Sequence, residues 1–256
     1  MVSGFVLFVT ALAFQNPSPQ TANGFRAASV DKTTPEKTAK SLTPEVRGDI
    51  YMARKMYREA IETYQQGPGD SPILANKIGI AYHQLLDLDD AMKQYERAIK
   101  LNPKYAEAIN NLGTIYYAHK SYRRAVNQYR KALTLVPDSA SFLSNLGTAY
   151  FARKNYAEAF VMYEKALTLD PDVFEHRGTA GVLLLERSVD ERAKYHYYLA
   201  KTYAKAGQGD RALQYIRKSI EEGFKEREKF AKEPEFAFLH ENEEFKQLMT
   251  MEQKVL

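Results

Sequence analysis
The 256-residue sequence contains no cysteine and no tryptophan. Without cysteine there are no disulfides, thiolate zinc sites, iron–sulfur clusters, cysteine nucleophiles or lipidated cysteines. Charge of one sign is not in excess either: 36 Lys and Arg face 32 Asp and Glu, a net +4. That balance does not mark a dedicated nucleic-acid binder. Long apolar runs are missing too. The longest, Gly4–Phe14 (GFVLFVTALAF), is shorter than the roughly 20 residues a membrane-spanning helix needs. It fits the apolar region of an export signal, with Ala11-Leu12-Ala13 as the small-residue pattern before cleavage. The basic residue expected after Met1 is absent. Residues 1–13 are therefore expected to be a removed export signal, with no membrane span after it. Residues 14–42, rich in Pro, Ser, Thr, Ala and Lys, are expected to be a disordered tether.

Catalytic and ligand motifs are equally scarce. His83, His119, His176, His196 and His240 are scattered without metal-ligand spacing. The glycine-rich stretches lack the G-K-[ST] of a phosphate loop, and no G-x-S-x-G elbow occurs. No catalytic, cofactor or metal site is expected.

Tyrosine is abundant, with 18 copies, and the tyrosines are periodic. Gly79, Gly113 and Gly147 stand 34 apart, as do Tyr82, Tyr116 and Tyr150, and Tyr95, Tyr129 and Tyr163. Ala91, Ala125 and Ala159, then Ala98, Ala132 and Ala166, then Pro103, Pro137 and Pro171, keep the same step. Leu88, Tyr122 and Tyr156 make a further bulky column. A period of this length marks stacked supersecondary units. Within each unit, a glycine admits close helix approach, and a proline closes the second helix because the residue before it resists helical geometry. Thr43-Pro44 and Ser71-Pro72 read as helix starts.

These columns resemble the tetratricopeptide repeat (TPR) family, strongly over residues 72–171 and detectably over 41–224. The resemblance implies an all-α, right-handed helical solenoid of about five antiparallel helix pairs with a C-terminal helical cap. The expected array spans 43–224: a degenerate repeat at 41–71, clear repeats at 72–105, 106–139 and 140–173, an insert at 172–192, and a degenerate repeat at 193–224. Gly48 lies 31 residues before Gly79, so the first pair loses part of its second helix. Ala159 and Ala212 are 53 apart, so about 19 residues are inserted. Residues 225–256, with Phe230, Phe236, Leu239, Phe245 and Leu248, are expected to cap the last pair. The tail also resembles those of exported bacterial repeat proteins, which implies a periplasmic or extracellular home, or the cytoplasm if the signal does not act.

The family resemblance further implies a non-catalytic scaffold that binds a peptide or protein segment in the concave groove lined by first helices. The exposed first-helix columns fall on Asn76, Lys77 and His83; Asn110, Asn111, Thr114 and Tyr117; Ser144, Asn145, Thr148 and Phe151; and Lys194, Tyr197, Lys201 and Lys205. Amides and hydroxyls in the centre suit an extended peptide backbone. Lys194, Lys201 and Lys205, with Lys77, would meet acidic side chains or a carboxylate of the partner. On this reading Asn110→Glu with Thr148→Glu abolishes partner capture and leaves the melting temperature nearly unchanged. The family's carboxylate clamp is not reproduced, because Glu45 and Asp49 stand where it needs Lys and Asn. Two other readings stay open: self-association, and nucleic-acid binding through the basic second helix around Arg123, Arg124 and Arg130.

Overall fold
In a computed structural model, residues 42–175 and 188–251 are described, and among them every regular element is helical. The expected export signal, the tether and most of the insert lie outside the described residues. Five helix pairs follow one another: α1 (Pro44–Ala53) with α2 (Tyr57–Tyr64), α3 (Pro72–Gln84) with α4 (Leu88–Leu101), and α5 (Ala106–Ala118) with α6 (Tyr122–Leu135). Then come α7 (Ala140–Ala152) with α8 (Tyr156–Leu169), and α9 (Val189–Lys205) with α10 (Gly209–Glu221). Each second helix packs on the next first helix, and α5 touches both α3 and α7. First helices therefore line one side of a solenoid and second helices the other.

The helix ends follow local chemistry. The Thr43 hydroxyl accepts from the Val46 amide at 3.3 Å and the Ser71 hydroxyl from the Leu74 amide at 3.2 Å, each just before a proline at the first helical position. Helices α4, α6 and α8 stop two residues before Pro103, Pro137 and Pro171. Helix α2 has 8 residues where α4 has 14, as the shortened spacing predicts.

Within a pair, contact is set by glycine against tyrosine. A Cβ built on Gly79, Gly113 or Gly147 would come within 2.7 Å of the ring of Tyr95, Tyr129 or Tyr163, and one on Gly48 within 2.2 Å of Tyr64. The fifth pair solves the same packing differently. Ala200 takes the glycine position and Ile216 the tyrosine position, and both are fully buried.

The tail folds back on the last pair. Helix α11 (Glu228–Lys232), a 3₁₀ turn (Pro234–Leu239) and α12 (Glu243–Thr250) pack against α9 and α10. Phe230, Phe236, Leu239, Phe245 and Leu248 are all buried there. Helix α9 begins at Val189, inside the span expected to be insert, and runs 17 residues. The chain leading into the insert is tied to this pair: Tyr203 and Tyr215 both donate to Glu175, at 3.3 and 3.2 Å. No helix among the described residues is long and apolar enough to cross a membrane.

Candidate functional site
The first helices α3, α5 and α7 carry a continuous chain of amides. Asn111 donates to Asn76 at 3.0 Å and Asn145 donates to Asn110 at 3.1 Å, each bond joining one repeat to the previous one. Asn110 donates to Asn111 at 3.4 Å, and Asn76 donates to the Tyr105 hydroxyl at 3.4 Å. An amide carries both donor and acceptor, so one residue type repeated at a step of 35 bonds to itself along the solenoid. At the first junction, where the repeat is shorter, charge takes the place of the amides. Lys77 donates to Glu45 at 2.8 Å and pairs with Asp49 at 2.7 Å. Burial opposes the Lys77 charge, but the carboxylates of Asp49 and Glu45 outweigh it and hold its pKa above the usual lysine value.

A second ladder runs beneath the first. Tyr129 donates to Thr114 at 3.3 Å and Tyr163 to Thr148 at 3.4 Å, while Tyr64 donates to Asp49 at 2.7 Å. Burial pushes the Tyr129 hydroxyl pKa well above its usual value, with the Thr114 bond opposing. These tyrosines are neutral packing groups with a hydrogen-bonded tip.

The geometry revises the expected groove. Asn76, Asn110, Thr114, Tyr117, Asn145, Thr148 and Phe151 are buried because the next repeat closes over them, and Tyr197 is buried under the tail residues Phe224, Phe230 and Phe236. A partner cannot reach them in this arrangement. Lys77, His83, Asn111, Ser144, Lys194 and Lys201 are partly accessible, and Lys205 is exposed. Ser141 is also partly accessible beside Ser144.

The lysine stripe is not free for an acidic partner. Lys201 sits 3.0 Å from Glu233 and 3.4 Å from Glu235 of the tail, Lys205 lies 2.7 Å from Glu164, and Lys194 lies 3.9 Å from Glu226. The fifth pair thus neutralises its own cations, mostly with acids from the folded-back tail. His196 is held against Glu222 at 2.6 Å. Burial lowers its pKa below the usual value, and Glu222 only partly restores it.

At the junction of the fourth and fifth pairs the groove ends in rings. Phe151 meets Tyr195 edge-on at 5.5 Å, Tyr156 stacks on Tyr198 at 5.3 Å, and Tyr197 stacks on Phe224 at 4.6 Å. A cleft of about 270 Å³ opens beside them, walled by Lys154, Asp190, Glu191, Lys194 and Lys225. Lys225 lies 3.5 Å from Asp190, so its charges are largely matched. Among the described residues no group of His, Asp and Glu is arranged to hold a metal.

Against known proteins, residues 79–120 match the TPR repeat family and residues 110–173 match the tetratricopeptide repeat family. No curated protein sequence matches the chain. Among solved structures it is similar to residues 41 to the end of MamA from Desulfovibrio magneticus RS-1, at 20% identity and a TM-score of 0.49, covering 70% of this chain and 92% of that one. It is similar to YrrB, described as a TPR protein with an unusual peptide-binding site, at 24% identity, a TM-score of 0.45, and 52% and 68% of the two chains. The first TPR of Spaghetti (RPAP3) bound to an HSP90 peptide is similar at 24% identity and a TM-score of 0.42, over 43% and 90% of the two chains.

Proposed function
The chain belongs to the tetratricopeptide repeat family over residues 79–173, and from that premise we propose that it is a non-catalytic interaction scaffold. Its ligand is an extended segment of another protein, laid along α3, α5 and α7. One observation carries this reading. The accessible part of that face is polar, with Asn111, Ser141 and Ser144 beside one exposed acid, Glu107, and it is bounded by self-neutralised ion pairs, Lys77 with Glu45 and Asp49 at one end, Lys201 with Glu233 and Glu235 at the other. Backbone amides and carbonyls of a peptide match such a surface without a charge requirement. The asparagine ladder below it holds the surface rigid, so ordering on binding falls mostly on the ligand.

The absence of native cysteine supplies the test. Ser144→Cys and Val161→Cys, the latter exposed on α8, are each labelled with a photo-crosslinker in the full chain. A protein captured at position 144 and not at 161, and displaced from unlabelled chain by Asn111→Arg no longer competing, supports the groove. Equal capture at both positions removes it.

The same reading includes export: residues 1–13 are a signal, and the mature chain begins near Phe14 in the periplasm or outside the cell. Mass spectrometry of the N-terminus from the envelope fraction decides this, and an intact Met1 in a soluble cytosolic fraction contradicts it. A second reading, self-association, is favoured by the exposed apolar residues Val46 and Ile50 on α1 and Leu42 just before it. A mass independent of concentration and equal to one chain in light scattering rejects it.

A further inference from the structure
The outer face of α6 carries charge of one sign. Between Ala118 and Pro137 stand Lys120, Arg123, Arg124, Arg130 and Lys131 and no acid, and all five are exposed. Arg124 lies over the Tyr116 ring, 5.7 Å from its centre. The other four have no carboxylate of the described residues within ion-pair distance. Several cations elsewhere are paired, Lys93 with Asp90, Lys201 with Glu233, Lys205 with Glu164 and Arg217 with Glu244, whereas here five stand together with no acid between them.

An apolar row borders it. Leu101, Leu135 and Leu169 close α4, α6 and α8 at a step of 34 residues and are 40%, 36% and 45% exposed, with Val136 beside Leu135 at 40%. Equal register puts them along one edge of the solenoid, with Lys100, Arg130, Lys131 and Lys165 between one and five residues upstream of them. Single exposed leucines are ordinary, but a row of them with cations on the upstream side, and Asp138, Asp170 and Asp172 just downstream, is an amphiphilic surface.

We propose that this edge and the α6 face form a docking surface for a lipid bilayer with anionic headgroups. Basic side chains meet the headgroups while short apolar side chains enter the acyl boundary. A nucleic acid fits less well. Single strands bind through exposed rings, whereas Tyr129 is fully buried and Tyr122 packs on Tyr117 at 5.2 Å. The surface also lies on the side away from the first helices, so a membrane-docked chain keeps its groove open.

The test is flotation of the full chain with phosphatidylcholine vesicles and with equimolar phosphatidylcholine and phosphatidylglycerol vesicles. The wild type is expected to float with the anionic vesicles, and the bound fraction to fall as salt is raised. Arg123→Glu with Arg130→Glu and Lys131→Glu lowers the partition coefficient by about a hundredfold. Leu135→Ser with Val136→Ser lowers it several-fold at unchanged charge. Both variants alter exposed side chains, so circular dichroism and the melting temperature stay at wild-type values, and residues 4–14 contribute equally in every chain compared. Equal partition of wild type and the charge-reversed variant overturns the proposal. So does binding of polyuridylate that the reversal abolishes while vesicles are ignored, which reassigns the surface to nucleic acid.

Discussion

At the scale of single residues, the turn between the two helices of each pair holds a cost that the sequence columns conceal. Lys55, Leu86, Lys120 and Lys154 adopt φ of 60°, 62°, 56° and 64°, the left-handed conformation that ends many helices and that glycine takes without a Cβ clash. The fifth pair has Gly207 there, at φ 73°. Leu86 is also 70% exposed, so its side chain loses little contact if removed. Leu86→Gly is expected to raise stability by about 0.5–1 kcal/mol, the relief of a left-handed residue less the entropy of glycine in the unfolded chain. Gly207→Ala should lower it by a similar amount. Urea denaturation reads both, and a destabilised Leu86→Gly refutes the argument. Histidine gives a second prediction at this scale. Burial lowers the His83 pKa below 6.5, so the unfolded chain takes up the proton first. The stability tied to a neutral His83 is complete above the unfolded pKa and is lost as pH falls from there through the folded value. The melting temperature should drop between about pH 7.5 and 5.5, a window above ordinary carboxylate titration. In His83→Gln that drop should be smaller, and an unchanged drop assigns it to other groups.

At the scale of elements, the ladder between first helices separates two asparagines that are neighbours in sequence. Asn110 is 2% exposed and bonded to Asn145, whereas Asn111 is partly accessible. Asn110→Glu places a carboxylate where its only close partners are amides, and is expected to cost about 3 kcal/mol or more. Asn111→Glu should cost less than about 1 kcal/mol and still block a ligand in the groove. Thermal denaturation of the pair checks this, and equal losses refute it. The expectation that Asn110→Glu with Thr148→Glu leaves the melting temperature nearly unchanged is thereby withdrawn. Helix pairs α3 to α8 were legible in the sequence because glycine, tyrosine, alanine and proline each recur at the step of the fold. Burial of Asn110 and Thr148 was not, since counting along one helix ignores the repeat that closes over it. A signal did exist: Asn76 with Asn111, and Asn110 with Asn145, share a step of 35, one more than the repeat. Lys201 misled for a different reason. Its acids, Glu233 and Glu235, come from a tail whose path no column predicts.

At the scale of the whole molecule, the two ends of the solenoid are finished differently, and this orders their stability. A stacked array gains its stability from neighbour contacts, so each terminal repeat lacks one partner. In α3, α5 and α7 the residues Ile78, Leu112 and Leu146, with Ala81, Ile115 and Ala149, are buried. At the matching places α1 has Arg47 and Ile50. Both are exposed. Arginine suits a face with no preceding repeat among the described residues, but Ile50 gains little from it, and α2 offers only 8 residues for α1 to pack on. The other end is sealed by Phe230, Phe236, Leu239, Phe245 and Leu248, each at most 4% exposed. Opening α9 and α10 therefore requires detaching this aromatic cap, including Phe224 stacked on Tyr197 and Phe230 edge-on to it. Opening α1 and α2 requires breaking only one inter-repeat contact and the Lys77 ion pairs. Native-state hydrogen exchange should then find the amides of α1 and α2 protected at least tenfold less than those of α9 and α10, about 1.4 kcal/mol in opening free energy. Lys77→Met should widen that gap by loosening the first junction while leaving α9 and α10 unchanged. Exchange that proceeds at one common rate along the chain would mean that the repeats open together, and faster exchange in α9 than in α1 would mean that the tail does not seal its end.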